Sequence, residues 1–314
     1  MSDASVIYNE LIKAAIKDKN KLTEKTINEV IKIYAKVAND LLVKASSAKG
    51  GFTRAWLKDY QKFIEFKVLE LNNELAKTSE EAIKTSAQIA ASVQGDFLEF
   101  VNDKYNLNIE KEMLQFAYNT NSEVIGQIIQ GNFYKDNKSL SERIWRYGDI
   151  YNKDIQYVLT KGLAEQKSYL EIIKDLEKYV NPNAKKDWDF SKVYPNLKNK
   201  RVDYNAQRLL RTSMTHMFRL QSDKKAIENP YVTKGKWNLS AEHHSRQVAR
   251  FGPDICDEYA GKLFDKDNIP TQHPNCLCYI TYEIPKSLDD IGRELNRWIN
   301  GENIDYLDKL LKGN

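Results

Sequence analysis

Hydrophobic positions recur at helical spacing through the first two-thirds of the chain. Ile27, Val30, Ile31, Tyr34, Val37, Leu41 and Leu42 form one stripe, with the spacing of three and four residues that one face of an α-helix requires. Thr26 with Glu29 fits a capping box that would start this helix, because a hydroxyl and a carboxylate three residues apart satisfy two orphan backbone donors reciprocally. Small residues and two glycines between Ser46 and Gly51 predict a break. Thr53 is placed to cap the next helix, whose stripe is Trp56, Tyr60, Phe63, Ile64, Val68, Leu71 and Leu75. Ser79 to Tyr105 reads as a further helix, with Ala87, Ala90 and Ala91 allowing close packing, and Glu110 to Gln130 as another. Ser139 with Glu142 and Ser168 with Glu171 are two more capping boxes, and Asn181-Pro182-Asn183 is a stop.

Lys185 to Lys200 is charged, irregular and contains Pro195, which predicts a linker. Helical spacing returns from Tyr204 to Ala226 through Leu209, Leu210, Ser213, Met217 and Leu220. The pattern changes after Pro230. Val232, Trp237, Leu263, Phe264, Tyr279, Ile280, Tyr282 and Ile284 are spaced as short strands, punctuated by Gly252-Pro253-Asp254, Gly261 and Pro270. A last amphipathic segment follows Ser287 through Leu288, Ile291, Leu295, Trp298 and Ile299, then Leu307, Leu310 and Leu311. The expected fold is mainly α: an elongated helical N-terminal region, 1–195, followed by a small α+β domain with short strands, 200–285, and a C-terminal amphipathic helical tail, 286–314.

A hydrophobic fraction of 41% and a charged fraction of 29% are ordinary for a soluble globular chain of 314 residues. The first thirty residues carry charges throughout, unlike a secretory signal, and no apolar window is long enough for a membrane span. The net charge of +4 is too mild to mark a nucleic-acid binder. Its distribution is more telling. Between Arg201 and Arg250 ten basic residues face four acidic ones, a surplus larger than that of the whole chain. Arg201, Arg208, Arg211 and Arg219 fall at intervals that place several on one helix side, a row able to track phosphates without reading sequence. The competing reading is a solvated face laced with intrahelical ion pairs.

All three cysteines, Cys256, Cys276 and Cys278, and all four histidines, His216, His243, His244 and His273, lie in the last third. An odd number of cysteines without a secretory signal argues against a disulfide framework. The string His273-Pro274-Asn275-Cys276-Leu277-Cys278, with Cys256 upstream, supplies three thiolates and an imidazole, the donor set of a closed structural zinc site. The polar, turn-rich loops between Arg250 and Asn275 cannot bury enough apolar surface to fix themselves, and metal binding can supply that folding free energy. The C-x-C spacing is tighter than the usual pair, so a second reading stays open, in which three small buried cysteines and a histidine merely cap a turn. His243 or His244 could replace a missing ligand or act as a general base, while His216, on an apolar helix, reads as a core-edge residue.

From Arg208 to Pro285 the chain resembles the C-terminal domain of phage minor head (head morphogenesis) proteins, the Mu F-like family. The residues that carry the resemblance are Arg208-Leu209-Leu210-Arg211-Thr212, Lys236-Trp237-Asn238, His243-His244-Ser245-Arg246, Asp254-Ile255-Cys256, Gly261-Lys262-Leu263-Phe264, and the closing His273 to Cys278 string, in that order. Arg143-Ile144-Trp145 opens a helical stretch, Ser139 to Val180, that is also similar to the region preceding this domain. Many relatives carry a second cysteine three residues after the first, where this chain has Tyr259. The resemblance implies a virion component rather than an enzyme: associated with the portal protein, meeting capsid or scaffolding protein during procapsid assembly in the host cytoplasm, and touching packaged double-stranded DNA. The alternative is a metal-dependent nuclease of the His-Asn-His type, built from His243 or His244, His273 and Asn275.

Overall fold

The computed structural model describes residues 2–48, 51–197 and 201–311. Part of the predicted break (49–50), the end of the predicted linker (198–200) and the end of the predicted tail (312–314) lie outside them. The protein is mainly α, with a small antiparallel sheet near its C-terminal end, as the hydrophobic pattern implies. The helices are α1 (Asp3–Ser46), α2 (Arg54–Tyr105), α3 (Lys111–Tyr118), α4 (Ser122–Gln130), α5 (Leu140–Ala164), α6 (Tyr169–Val180), α7 (Trp188–Val193) and α8 (Tyr204–Glu228), followed by the short α9 (Ala249–Phe251) and α10 (Ile255–Tyr259), and then α11 (Leu288–Ile299) and α12 (Asp305–Leu311). Three strands, β1 (Lys234–Asn238), β2 (Leu263–Asp265) and β3 (Tyr279–Glu283), pair in the order β2-β1-β3. Among the described residues no helix is long and apolar enough to cross a membrane.

Several boundaries follow from local chemistry. Ser139 and Ser168 each cap their helix through the backbone N–H three residues on, with the glutamate there bonding back. Thr53 accepts from the Trp56 N–H at 3.1 Å, and Asn121 from that of Val124 at 3.1 Å. Three expectations need correction. The Thr26–Glu29 pair starts nothing, because no proline or glycine interrupts the segment from Asp3 onward and α1 runs straight through it. The helices expected at 53–75 and 79–105 are one helix, α2. The single helix expected over Glu110–Gln130 is two, divided at Asn119–Asn121.

The chain forms two compact units that do not follow the expected order of 1–195, 200–285 and 286–314. The first unit takes residues 1–22, 83–127 and 212–314; the second takes 23–82 and 128–211. The cause is the length of α1, α2 and α8, each of which supplies residues to both. In the second unit Tyr34, Tyr60, Ile64, Leu71, Ile144, Tyr151, Ile155, Leu176 and Tyr179 are buried, and the Tyr179 hydroxyl donates to the buried Asp154 at 2.6 Å.

The first unit contains the sheet. Its centre strand β1 needs Gly235: a Cβ there would meet Ile269 Cδ1 at 2.5 Å and Ile280 Cγ2 at 2.9 Å. Strand β3 lies at an edge of the sheet, where unpaired backbone groups need cover. Side chains of α1 supply it. Asn9 Nδ2 donates to the Tyr282 carbonyl at 2.9 Å, and Asn9 Oδ1 accepts from the Tyr282 N–H at 2.8 Å. One helical turn earlier, Ser5 Oγ donates to the Ile284 carbonyl at 3.0 Å and accepts from its N–H at 2.7 Å. Four residues of helix rise about 6.0 Å and two of strand about 6.8 Å, so the two periods nearly match. Tyr8, Phe97, Trp237, Ile280, Tyr282, Ile284, Ile291 and Leu295 belong to one buried core, which also takes in Cys256, Cys276 and Cys278.

Candidate metal centre

The segment from Leu239 to Cys278 has almost no core of its own. Its only buried residues are His243, Cys256, Gln272, Cys276 and Cys278. Four of these five carry a soft or borderline donor atom, and local structure brings them together. Asp254 caps α10 by accepting from the Cys256 N–H at 2.8 Å, which sets Cys256 in the first turn. Gly252, at φ 86°, makes the left-handed turn out of α9 that leads into this cap. On the other side of the cluster, Asn275 adopts φ 64° and its N–H donates to Thr212 Oγ1 at 3.0 Å, which folds the His273–Cys276 turn. Cys278 then lies directly before β3, and its N–H donates to Cys276 Sγ at 3.3 Å.

The three sulfurs lie within 4.8 Å of one another, with Cys256 and Cys276 Sγ 3.5 Å apart. His243 Nδ1 stands 3.6 Å from Cys278 Sγ. Zinc–sulfur bonds near 2.3 Å and zinc–nitrogen bonds near 2.0 Å give tetrahedral edges of about 3.8 Å between sulfurs and about 3.5 Å from sulfur to nitrogen. The three sulfurs could therefore hold a metal, and His243 Nδ1 approaches one of them. The other ring nitrogen, His243 Nε2, lies 3.0 Å from Asp257 Oδ2, which also accepts the Asp254 N–H at 2.8 Å. A carboxylate behind a ligating imidazole fixes its tautomer and orientation.

The electrostatics agree with the geometry. Hydrogen bonds to Cys276 and Cys278, with burial, push the Cys256 thiol up. Hydrogen bonds from Cys256 and Cys276 pull Cys278 down, helped by the Ser240 backbone and His243. Burial works against the His243 imidazolium, but the Asp257 hydrogen bond and the charge on Cys278 outweigh it, and its pKa moves up. Protons shared among crowded thiols are what a divalent cation displaces on binding. All three cysteines are free thiols.

Neither His273, in the expected ligand set, nor His243 joins the three-sulfur group within 4.8 Å. His273 Nε2 stands 3.0 Å from Asp254 Oδ2, and His273 has a donor within 4.8 Å of Cys256 Sγ, but it does not join the three-sulfur group. Both histidines border the cluster, His273 on the Cys256 side and His243 facing Cys278. His244 is exposed. His216 is buried, and burial pushes it down to about 4 against hydrogen bonds to the backbone of His273 and Gln272. Asp254 and Asp257, which position Cys256 and His243, were legible only as a capping pattern, Asp-x-x-Asp, at the head of α10.

The expected arginine row is also corrected. Arg219 is 6% exposed, its Nε donates to Asp223 Oδ2 at 2.7 Å, and its guanidinium lies 5.6 Å from the Trp237 ring centre. It cannot reach a phosphate from there. Arg201 is exposed but forked onto the buried Asp203 at 3.3 and 3.0 Å. Arg208 is exposed and Arg211 half-buried.

These features define a class: an α+β unit whose least self-supporting segment is gathered around a cluster of three buried cysteines that could hold a metal. Comparison with protein-family models, with curated proteins and with solved structures finds no match to this chain.

Proposed function

We propose that the chain is a minor head protein of a tailed phage, a structural part of the virion that associates with the portal protein and with capsid or scaffolding protein during assembly. What supports the phage assignment is the ordered series of residues from Arg208 to the His273–Cys278 string. What supports a structural rather than catalytic centre is that Cys256, Cys276, Cys278 and His243 are nearly the whole core of Leu239–Cys278. In this reading the three cysteines hold one zinc ion, with His273 or His243 as the fourth donor. Zinc supplies folding free energy to loops that bury little else, and a full set of four protein donors leaves no position for substrate. The chain's own residues do the rest: Asp257 orients His243, Asp254 sets Cys256, and the Asn275 turn sets Cys276. Arg208 and Arg211 remain as candidates for non-specific DNA contact, with Arg201 held by Asp203.

The nuclease reading has one observation behind it. His273, paired with Asp254, lies beside Asn275 and Arg246 at a hollow of about 100 Å³. The test co-expresses the chain with the portal protein of the same phage and analyses the product by light scattering and metal content. A defined complex containing zinc, with no DNA cleavage, is the expected result. Absence of a complex across a range of salt overturns the head-protein reading, and metal-dependent cleavage lost in His273→Ala establishes the nuclease.

A further inference from the structure

A hollow of about 500 Å³ opens in the first unit between the end of α8, the turn from α3 to α4, and α12. Small-ligand sites run from about 300 to 1,000 Å³. The turn is fixed from both sides: Asn121 caps α4 through the Val124 N–H, and its own N–H donates to Gln221 Oε1 on α8 at 3.1 Å. One wall of the hollow is apolar, made by Phe116 and Ala117 of α3, Ile227 of α8 and Leu310 of α12. The other is polar and rich in donors. Lys225, in the last turn of α8, is 6% exposed, and lysines are almost never buried so deeply unless paired. Its ion-pair partner, Glu228 Oε2, is 3.7 Å away, beyond hydrogen-bond distance, and the same carboxylate also faces Lys224 at 3.8 Å. Gln94 of α2 is buried as well. Its Oε1 accepts from Asn229 Nδ2 at 2.8 Å, while its Nε2 has no hydrogen-bond partner among the described residues. Buried donors are almost always answered, so a donor left over beside a hollow calls for an acceptor.

The charged residues that line the hollow are Lys225, Lys309 and Glu228, which leaves one positive charge in surplus. That surplus matches a monoanion. A phosphate dianion would keep a charge unanswered. We propose that the hollow binds a small molecule with a single carboxylate and an apolar body, the carboxylate meeting the Lys225 ammonium and the body lying against Phe116, Ile227 and Leu310. Apolar contact supplies most of the affinity in such a site, and one well-placed polar group sets the orientation. Burial penalises the Lys225 ammonium and draws its pKa down, with Glu228 opposing; a bound carboxylate opposes the same penalty from the open side. Lys309 is exposed at the rim and adds only screened attraction. The hollow shares no residue with the cysteine cluster, so its ligand does not depend on whether that cluster holds metal.

The experiment titrates the full chain with decanoate in a calorimeter, and separately with decyltrimethylammonium, acetate and inorganic phosphate. Decanoate is expected to bind one per chain with a dissociation constant below about 1 mM, decyltrimethylammonium at least about tenfold more weakly, and acetate and phosphate not measurably. A hydrogen bond to a charged group is worth about 10–100-fold in affinity, and Lys225→Met is expected to lose that much. Lys309→Met, at the rim, is expected to lose less than about fivefold. Ile227 is 43% exposed, so Ile227→Glu puts a negative charge in the wall without disturbing the core. It is expected to weaken decanoate by at least tenfold, as the order of effect of a charge-assisted bond, at an unchanged melting temperature, and it decides the matter should Lys225→Met fail to fold. Equal binding of decanoate and decyltrimethylammonium overturns the proposal, because the contact is then apolar alone. So does decanoate binding that Ile227→Glu leaves intact, phosphate binding in place of decanoate, or no saturable decanoate binding below about 1 mM.

Discussion

Replacing each histidine of the cluster in turn separates a ligand from a neighbour. His243 Nδ1 faces Cys278 Sγ at 3.6 Å and is 6% exposed, whereas the His273 side chain is 31% exposed and its Nε2 is 3.0 Å from Asp254. A change behind the ligands costs about 10–100-fold in metal affinity, so loss of a ligand itself is expected to exceed about 100-fold. At about 1.4 kcal/mol per tenfold that is at least about 2.8 kcal/mol. His243→Ala is expected to cross this line, and His273→Ala to stay within about tenfold, the lower part of the outer-sphere range. Zinc competition reads the affinities, and hydrogen exchange reads where the cost falls. Because Leu239–Cys278 buries five residues only, its amides are expected to lose protection on chelation, while those near Tyr34, Tyr151 and Tyr179 in the second unit keep theirs. Release of the metal by His273→Ala with retention by His243→Ala refutes this assignment, and so does a chelated segment that stays protected.

Other outcomes follow from the fold. Asn9→Ala leaves the buried N–H and carbonyl of Tyr282 without their partner, and at about 1–3 kcal/mol for each group should lower stability in urea by about 2–6 kcal/mol; a loss under about 0.5 kcal/mol would mean that the edge is satisfied some other way. Ser139→Ala and Ser168→Ala each remove an N-cap and should cost about 1 kcal/mol by the same assay, with no cost contradicting the capping boxes. Arg208→Ala with Arg211→Ala should weaken any salt-sensitive DNA binding in a filter or anisotropy assay while leaving the melting temperature alone. Arg219→Ala should do the reverse, leaving Asp223 in the core without a counter-charge and with the Tyr282 hydroxyl as partner, at about 3–5 kcal/mol of stability; normal stability with weakened DNA binding would restore Arg219 to the basic face.

Local signals proved legible and distant ones did not. The serine caps of α5 and α6, the strands around Trp237 and Tyr282 and the crowding of cysteines into one region could all be read from spacing, because each depends on residues a few positions apart. The approach of His243 to Cys278 could not. His273 sits in the conspicuous string with Cys276 and Cys278, but His243 reaches Cys278 from 35 residues away through a turn that no periodicity marks. Arg219 lies in register with the other arginines, yet Asp223, one turn on, and Trp237, on β1, draw it inward. Ser5 and Asn9 look like the ordinary polar complement of a helix, and their roles are set by partners more than 250 positions away.

That separation gives the protein an order of completion. The second unit, 23–82 and 128–211, is wholly present once Arg211 has left the ribosome, whereas the first still lacks residues 212–314. At about 5–20 residues per second, the edge that Ser5 and Asn9 cover is delivered several seconds after the unit made without it. Until then the apolar face of early α1, with Tyr8 and Ile12, has none of its strand partners to pack against. Nascent chains stalled just after Arg211 should thus engage holdase chaperones through their first twenty residues, and completion of β3 should release them.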